Sequence, residues 1–430
     1  MKKILAMALV AAMSLSMLAG CGGSDNADAN ANAGANTEVA GTEATTPEVT
    51  DVALKVWCPQ NQIDTKLMDE QTKAFAEAHP EWKITWTVEA VGEDNARTEV
   101  EKDVEAAADV FFYASDQVNA LVDIGAIARL GGDTEKMVNE SIAANIVDTV
   151  KVGDALYGIP FTHNTFFMFY DKTIMSDDDV KTMESIMAKE TADDVYNFYF
   201  ESAGGWKLGA WYYGAGLSVF GADGSDLAAG VDWNNETGVA VTNYLIDLIN
   251  NPKCAYDGEI TIAELIGEHR LGAWWDGAWN YATYKEKLGD DLGMAVIPTY
   301  KLDGKDVQLK GFYGSKAIGV NAKSKNLEAA IAFATYLGSE EQQIARYEKS
   351  QQIPANTKAG EIDAIKNDAM ASVIVAEANN ASVAQPSATA FATRYWTYAN
   401  TIPTEIRSKE LTKENVKEKL DTFVSAMTAE

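Results

Sequence analysis

The run DVFFYAS, Asp109 to Ser115, has no side that could face water. Val110, Phe111, Phe112 and Tyr113 follow one another with no polar residue between them, the pattern of a strand covered on both faces inside a parallel sheet. Upstream stands LKVWC, Leu54 to Cys58, a second apolar strand, followed by a polar turn from Pro59 to Gln62. In TKLMDEQTKAFAEAH, Leu67, Met68, Phe75 and Ala78 recur at helical spacing, and Pro80 stops the helix. WKITWTVEAV, Trp82 to Val91, is the next strand, and a polar helix over Glu93 to Ala108 leads back to DVFFYAS. Strand, helix, strand, helix, strand predicts an α/β fold with ligands at the carboxyl ends of the strands. Further on, Ala317 to Ser350 predicts a strand, a helix carrying Leu327, Ile331, Phe333 and Leu337, a stop at Gly338, and a second helix opened by Ser339 with Gln342 at capping-box spacing.

The amino-terminal residues belong to another class. Lys2 and Lys3 precede an apolar run from Ile4 to Leu18 and then Ala19-Gly20-Cys21, so residues 1–20 form a secretory signal whose apolar part is too short to span a bilayer permanently. LAGC also resembles the lipobox of bacterial lipoproteins, which implies that Cys21 becomes the lipidated first residue and holds the protein at the extracellular face of the cell membrane. From Gly22 to Thr50 there is no aromatic residue and no Lys or Arg, so the segment 21–50 reads as a disordered tether.

Residues 51–430 suffice for two domains. With 64 acidic against 35 basic residues the net charge is -29, which excludes a nucleic-acid partner and any membrane contact except through the anchor. Cys58 and Cys254 lie far apart and read as separate thiols. The three histidines, His79, His163 and His269, form no HExxH and no ligand cluster, so neither metal nor cofactor is expected. GAGLSVFG, Gly214 to Gly221, misses both G-x-G-x-x-G and G-x-S-x-G, because Val219 and Phe220 stand where glycine is required.

Four blocks, in order, carry a resemblance: LKVWC with HPEWKITW, ADVFFYASDQVNALVDIGAIARL (Ala108 to Leu130), LYGIPFTHNTFFMFYDKTIM (Leu156 to Met175) and GSKAIGVNAKSKNLEAAIAFATYLGSEEQQ (Gly314 to Gln343). The chain resembles the family 1 extracellular solute-binding proteins of ABC importers, most closely their maltodextrin-binding branch. The resemblance implies a two-lobed periplasmic-binding-protein-like fold (type II), with lobes joined by a three-segment hinge. Carried over, the hinge passes near Phe161 to Thr165, Lys310 to Ser315 and Lys366 to Met370. The N-lobe then takes 51–161 plus 312–366, and the C-lobe 165–310 plus 370–430. It further implies a monomer that binds an oligosaccharide, performs no catalysis, and meets the permease subunits of a transporter.

A sugar offers hydroxyl rims and apolar C–H faces, so its site needs aromatic plates beside planar polar groups. A plate shielding roughly 100 Å² contributes about 2.5 kcal/mol before polar desolvation is set against it. By resemblance, Tyr113 and Asp116, past a strand's carboxyl end, supply a plate and a hydroxyl acceptor. Asn61 and Gln62 stand where the branch carries an acid and a lysine, keeping hydrogen bonding while losing charge. His163 and Asn164 occupy the hinge contact, Trp211 and Tyr213 the C-lobe aromatic cluster, and Trp279 and Trp396 the two principal plates. In LGAWWDGAWNYATY, Leu271 to Tyr284, the segment Leu271 to Trp275 reads as a buried strand with at least one of Trp274 and Trp275 in the core. Asp276 is either a turn former or a hydroxyl acceptor.

Two other classes compete. A carbohydrate-active enzyme needs two carboxylates about 5 to 10 Å apart, and an acid such as Asp276 among tryptophans could have a raised pKa, yet no pair stands out among 64 acids. A receptor for peptides or polyamines would favour acids with fewer plates, and one for phosphates would favour Arg and Lys at helix starts.

Overall fold

A computed structural model describes residues 49–429 apart from 202, 203, 222, 223, 258 and 259. The signal segment, Cys21 and the tether up to residue 48 lie outside the described residues. The strand expected from DVFFYAS is present as Val110–Ala114, with all five residues buried. It pairs in parallel with Thr50–Cys58, which pairs in parallel with Trp82–Ala90 from Thr50 opposite Trp82 to Cys58 opposite Ala90. On its other side runs Gly311–Val320, antiparallel both to Val110–Ala114 and to Ile159–Asn164, and parallel to the short Ser382–Ala384.

A second sheet has the order Leu292–Ala295, Phe166–Asp171, Leu271–Gly277, Tyr196–Phe200, Cys254–Tyr256. Strand periodicity explains its aromatic content. Successive side chains leave opposite faces, so Phe166, Met168 and Tyr170 enter one core while Phe167 and Phe169 enter the other. Trp274 and Trp275 divide in the same way, and both are core.

Local signals set the element ends. Ser339 Oγ accepts from Gln342 N at 3.4 Å and opens Glu340–Ser350, while Gly338 closes Leu327–Leu337. The helix expected over Glu93 to Ala108 shortens to Ala96–Lys102, because Asp103 Oδ1 takes the backbone N–H groups of Glu105 and Ala106 and turns the chain out of the helix. The polar turn expected at Pro59 to Gln62 instead closes a short helix, Gln60–Asp64.

Where the chain changes sheets, it does so abruptly. Asn164 ends a strand of the first sheet and Phe166 begins one of the second, leaving only Thr165 between, whose hydroxyl donates to Phe312 O at 3.1 Å. The strand Gly311–Val320 packs Phe312 in the second sheet's core and Ile318 in the first. Ala355 packs in the first core, whereas Tyr347 and Ile353 before it and Ile365 and Met370 after it pack on the second sheet, so the chain meets both cores before Lys366 to Met370. Cys58 and Cys254 are free, the first in the first sheet's core and the second in one of the second sheet's two, and burial pushes both thiols up to about 12.

Candidate functional site

Between the two sheets lies a cavity of about 790 Å³, within the ~300–1,000 Å³ usual for small-molecule sites. Its first wall follows from parallel pairing. The turn after Thr50–Cys58 delivers Asn61, the turn after Trp82–Ala90 delivers Glu93 and Asp94, and the turn after Val110–Ala114 delivers Asp116 and Gln117. Three parallel strands thus empty their carboxyl ends into one place. Lys316, from Gly311–Val320, completes this wall.

The opposite wall is aromatic. Trp206 stands in the first turn of Gly205–Gly214, Trp279 follows Leu271–Gly277, and Trp396 comes from Thr389–Ala399. The ring of Trp279 lies directly on Gly277, where a Cβ would stand 2.1 Å from Cη2, so only glycine lets the ring take this position. Trp206 and Trp279 have centroids 5.9 Å apart. Gln385, Gln352, Asn400 and Asn164 stand at the junction of the two walls.

The polar wall is short of partners. Asn61 Oδ1, Glu93 Oε1 and Gln352 Oε1 are buried with no hydrogen-bond partner among the described residues, an arrangement that costs about 1–3 kcal/mol per group unless something else supplies a donor. Lys316 Nζ lies 3.6 Å from Glu93 Oε2 and 4.8 Å from the centre of the Trp279 ring, a cation–π contact from one wall to the other. Burial raises the Asp116 carboxyl to about 7, against the lowering effects of its backbone hydrogen bond, Arg97 and Gln385; Asp94 adds to the rise.

Of the residues expected from the sequence, Asn61, Asp116, Asn164, Trp279 and Trp396 line the cavity. Six others do not. Gln62 is one step, or 100°, further around the short helix and is fully buried. Tyr113 belongs to a strand with no open face; it lies under Gly158 and donates to Tyr157 O at 3.4 Å. His163 turns to Tyr313, with Nδ1 2.6 Å from the phenol oxygen, and burial lowers it to about 4. Trp211 is fully buried against Trp275 and Tyr300, and Tyr213 packs on Phe312. Trp211 stands five residues beyond Trp206, about 7.5 Å deeper along the helix. Asp276 is a turn former: it accepts from Gly277 N and Asn280 Nδ2, each at 2.8 Å, and from the Tyr284 hydroxyl.

Sequence reasoning missed Trp206, Glu93, Asp94, Gln117, Lys316, Gln352, Gln385 and Asn400. Glu93 and Asp94 carry the same signal as Asp116, a position just past a parallel strand, and they precede the helix, which begins only at Ala96. Trp206 opens a helix that follows the strand Tyr196–Phe200, which is the same rule applied to the second sheet.

Known proteins resemble this chain in sequence and fold. Residues 70–372 match the family of bacterial extracellular solute-binding proteins. A maltooligosaccharide ABC transporter solute-binding lipoprotein of Streptococcus pneumoniae is 30% identical over 276 residues, 59% of this chain and 63% of its own length, so the match spans less than two thirds of that relative. A solved chain described with acarbose is 35% identical with a TM-score of 0.82, covering 87% of this chain and 98% of that one. A maltodextrin-binding protein of L. casei solved without ligand is 26% identical with a TM-score of 0.77, covering 88% and 99%. The fold is that of these two-lobed proteins, one sheet to a lobe, and the chain belongs to the bacterial extracellular solute-binding proteins.

Proposed function

We propose that the protein is the membrane-anchored binding subunit of an ABC importer and captures a neutral oligosaccharide, a malto-oligosaccharide above others, by closing its lobes around it. The observation that carries this reading is the pairing of three tryptophans on one wall with three buried oxygens that have no partner among the described residues, those of Asn61, Glu93 and Gln352, on or beside the other. Rings cover sugar faces, and amide and carboxylate oxygens accept from sugar hydroxyls. The names of the S. pneumoniae relative and of the L. casei structure point the same way. Sugar bound to one lobe gains the second set of contacts only on closure, which shifts the population toward the closed state.

The passages at Thr165, at Gly311 and within the 347–370 stretch serve as the hinge. Lipid on Cys21 holds the protein at the outer face of the membrane, and the permease receives the closed form. The ligand leaves unchanged.

The test is calorimetry against malto-, cello- and xylo-oligosaccharides and neutral monosaccharides, with product analysis of the incubated sugar. Saturable binding of maltotriose without shorter products supports the reading; turnover above background overturns it in favour of an enzyme. The acids Glu93, Asp94 and Asp116 in one cavity support a second reading, an amine receptor. Spermidine in the same titration decides between them, since binding of spermidine without any sugar replaces the first reading by the second.

A further inference from the structure

Among the described residues that line the cavity three are acids, Glu93, Asp94 and Asp116, and one is a base, Lys316. The base is placed by the sheet. Its strand, Gly311–Val320, is paired on both edges at this point, with Lys316 opposite Ala114 on one side and Thr162 on the other, so its backbone is held from two directions. The same Ala114 donates its N–H to Glu93 O at 3.1 Å, and Gln117 Nε2 donates to that oxygen at 2.9 Å, which seats Glu93 beside the lysine. Lys316 Nζ then lies 3.6 Å from Glu93 Oε2, with the two side chains only 14% and 8% exposed. The other carboxylate oxygen, Oε1, has no hydrogen-bond partner among the described residues.

A buried carboxylate close to tryptophan rings is the chemistry that recognises ammonium groups, by ion pairing on one side and by the ring quadrupole on the other. Here the rings are Trp279, held on Gly277, and Trp206, 5.9 Å from it. Lys316 supplies the ammonium from within the chain, with Nζ 4.8 Å from the centre of the Trp279 ring while it faces Glu93. An amine entering the cavity therefore finds both of these anchors taken and meets a like charge, whereas a neutral solute meets no such repulsion. We propose that Lys316 is the specificity-determining residue of the cavity, an internal cation that occupies the Glu93–Trp279 cage and excludes ammonium-bearing solutes. This deepens the saccharide reading and rests on it for the solute admitted, but the exclusion is a property of the free protein and is measured without sugar.

Two measurements on the full chain test it. In calorimetry, spermidine should give no saturable heat with the wild type and should bind Lys316→Ala at least about tenfold more tightly. Lys316→Arg, which keeps the charge, should still exclude spermidine, and Glu93→Gln added to Lys316→Ala should remove the gain. Lys316→Met, which keeps the apolar stem, replaces the alanine variant if that variant does not fold. In fluorescence, n-propylammonium, the part of the side chain that Lys316→Ala deletes, should change the tryptophan emission of that variant and not of the wild type, while 1-propanol, of the same size and uncharged, should change neither. Spermidine bound equally by wild type and Lys316→Ala, by neither, or by Lys316→Arg as well, overturns the exclusion, as does 1-propanol acting like propylammonium. If the wild type does not bind maltotriose while Lys316→Ala gains spermidine, the saccharide reading falls and the exclusion stands; if the wild type binds both, the exclusion falls and the saccharide reading stands.

Discussion

The two walls of the cavity are built from opposite materials by the same topological rule. In each lobe, parallel strands end at the cleft, yet the first lobe places Asn61, Glu93, Asp94 and Asp116 there, and the second places Trp206 and Trp279, with Trp396 on a helix beside them. The contrast shows how a fold can be shared while the chemistry is divided. One lobe offers directional hydrogen bonds, the other offers area, and a ligand that uses only one of them gains only part of the available affinity. A solute with both a hydroxyl rim and an apolar face is the one that could use both walls at once.

The division can be broken from either side. Trp279→Ala removes a plate of roughly 100 Å² and should weaken maltotriose about 60-fold by calorimetry. Its unfolding temperature should stay close to that of the wild type, because the ring is 37% exposed and leaves no buried void. Glu93→Gln attacks the other wall: it removes the ion-pair partner of Lys316 while keeping the shape, and should cost about tenfold.

A smaller effect comes from pH. With its pKa raised to about 7, the Asp116 carboxyl is mostly protonated below that pH and mostly ionised above it, and the ionised form is the stronger acceptor. Affinity should therefore rise by about threefold to tenfold from pH 6 to pH 8, with Arg97 and Asp94 the charged neighbours that set the midpoint. Asp116→Asn should flatten the profile, and a profile that persists assigns the titration elsewhere.

The smallest effect on binding separates Trp211 from Trp206. Trp211→Phe should change affinity less than twofold while lowering the unfolding temperature by a few degrees, since a fully buried ring is trimmed. A binding loss without destabilisation would return Trp211 to the site.

Much of this was legible in the chain. The unbroken run Val110 to Tyr113 announced a doubly covered strand because burial on both faces leaves no room for polar residues, and Asp116, lying just past it, followed as a site residue. Trp279 was legible because Gly277-Ala278 releases the chain from the sheet. The six expected residues that do not line the cavity share one cause: they are polar or aromatic groups one or a few positions from a lining residue, and the turn of a helix or the alternation of a strand decides which neighbour faces the cleft. Gln62 beside Asn61, Tyr113 near Asp116 and Trp211 beyond Trp206 are such cases. Gln352 and Gln385 lie in loops with no periodicity to read, and only tertiary contact identifies them.

The buried thiols carry a practical consequence. Cys58 and Cys254 are both buried, and burial pushes their thiols up to about 12, so neither offers a reactive thiolate at neutral pH. In a soluble form of the chain that starts after Cys21, a single cysteine introduced at Asp94, which is exposed on the rim of the cavity, would be the one thiol that a dye could reach. A dye there would make the protein an optical reporter of the closure proposed above.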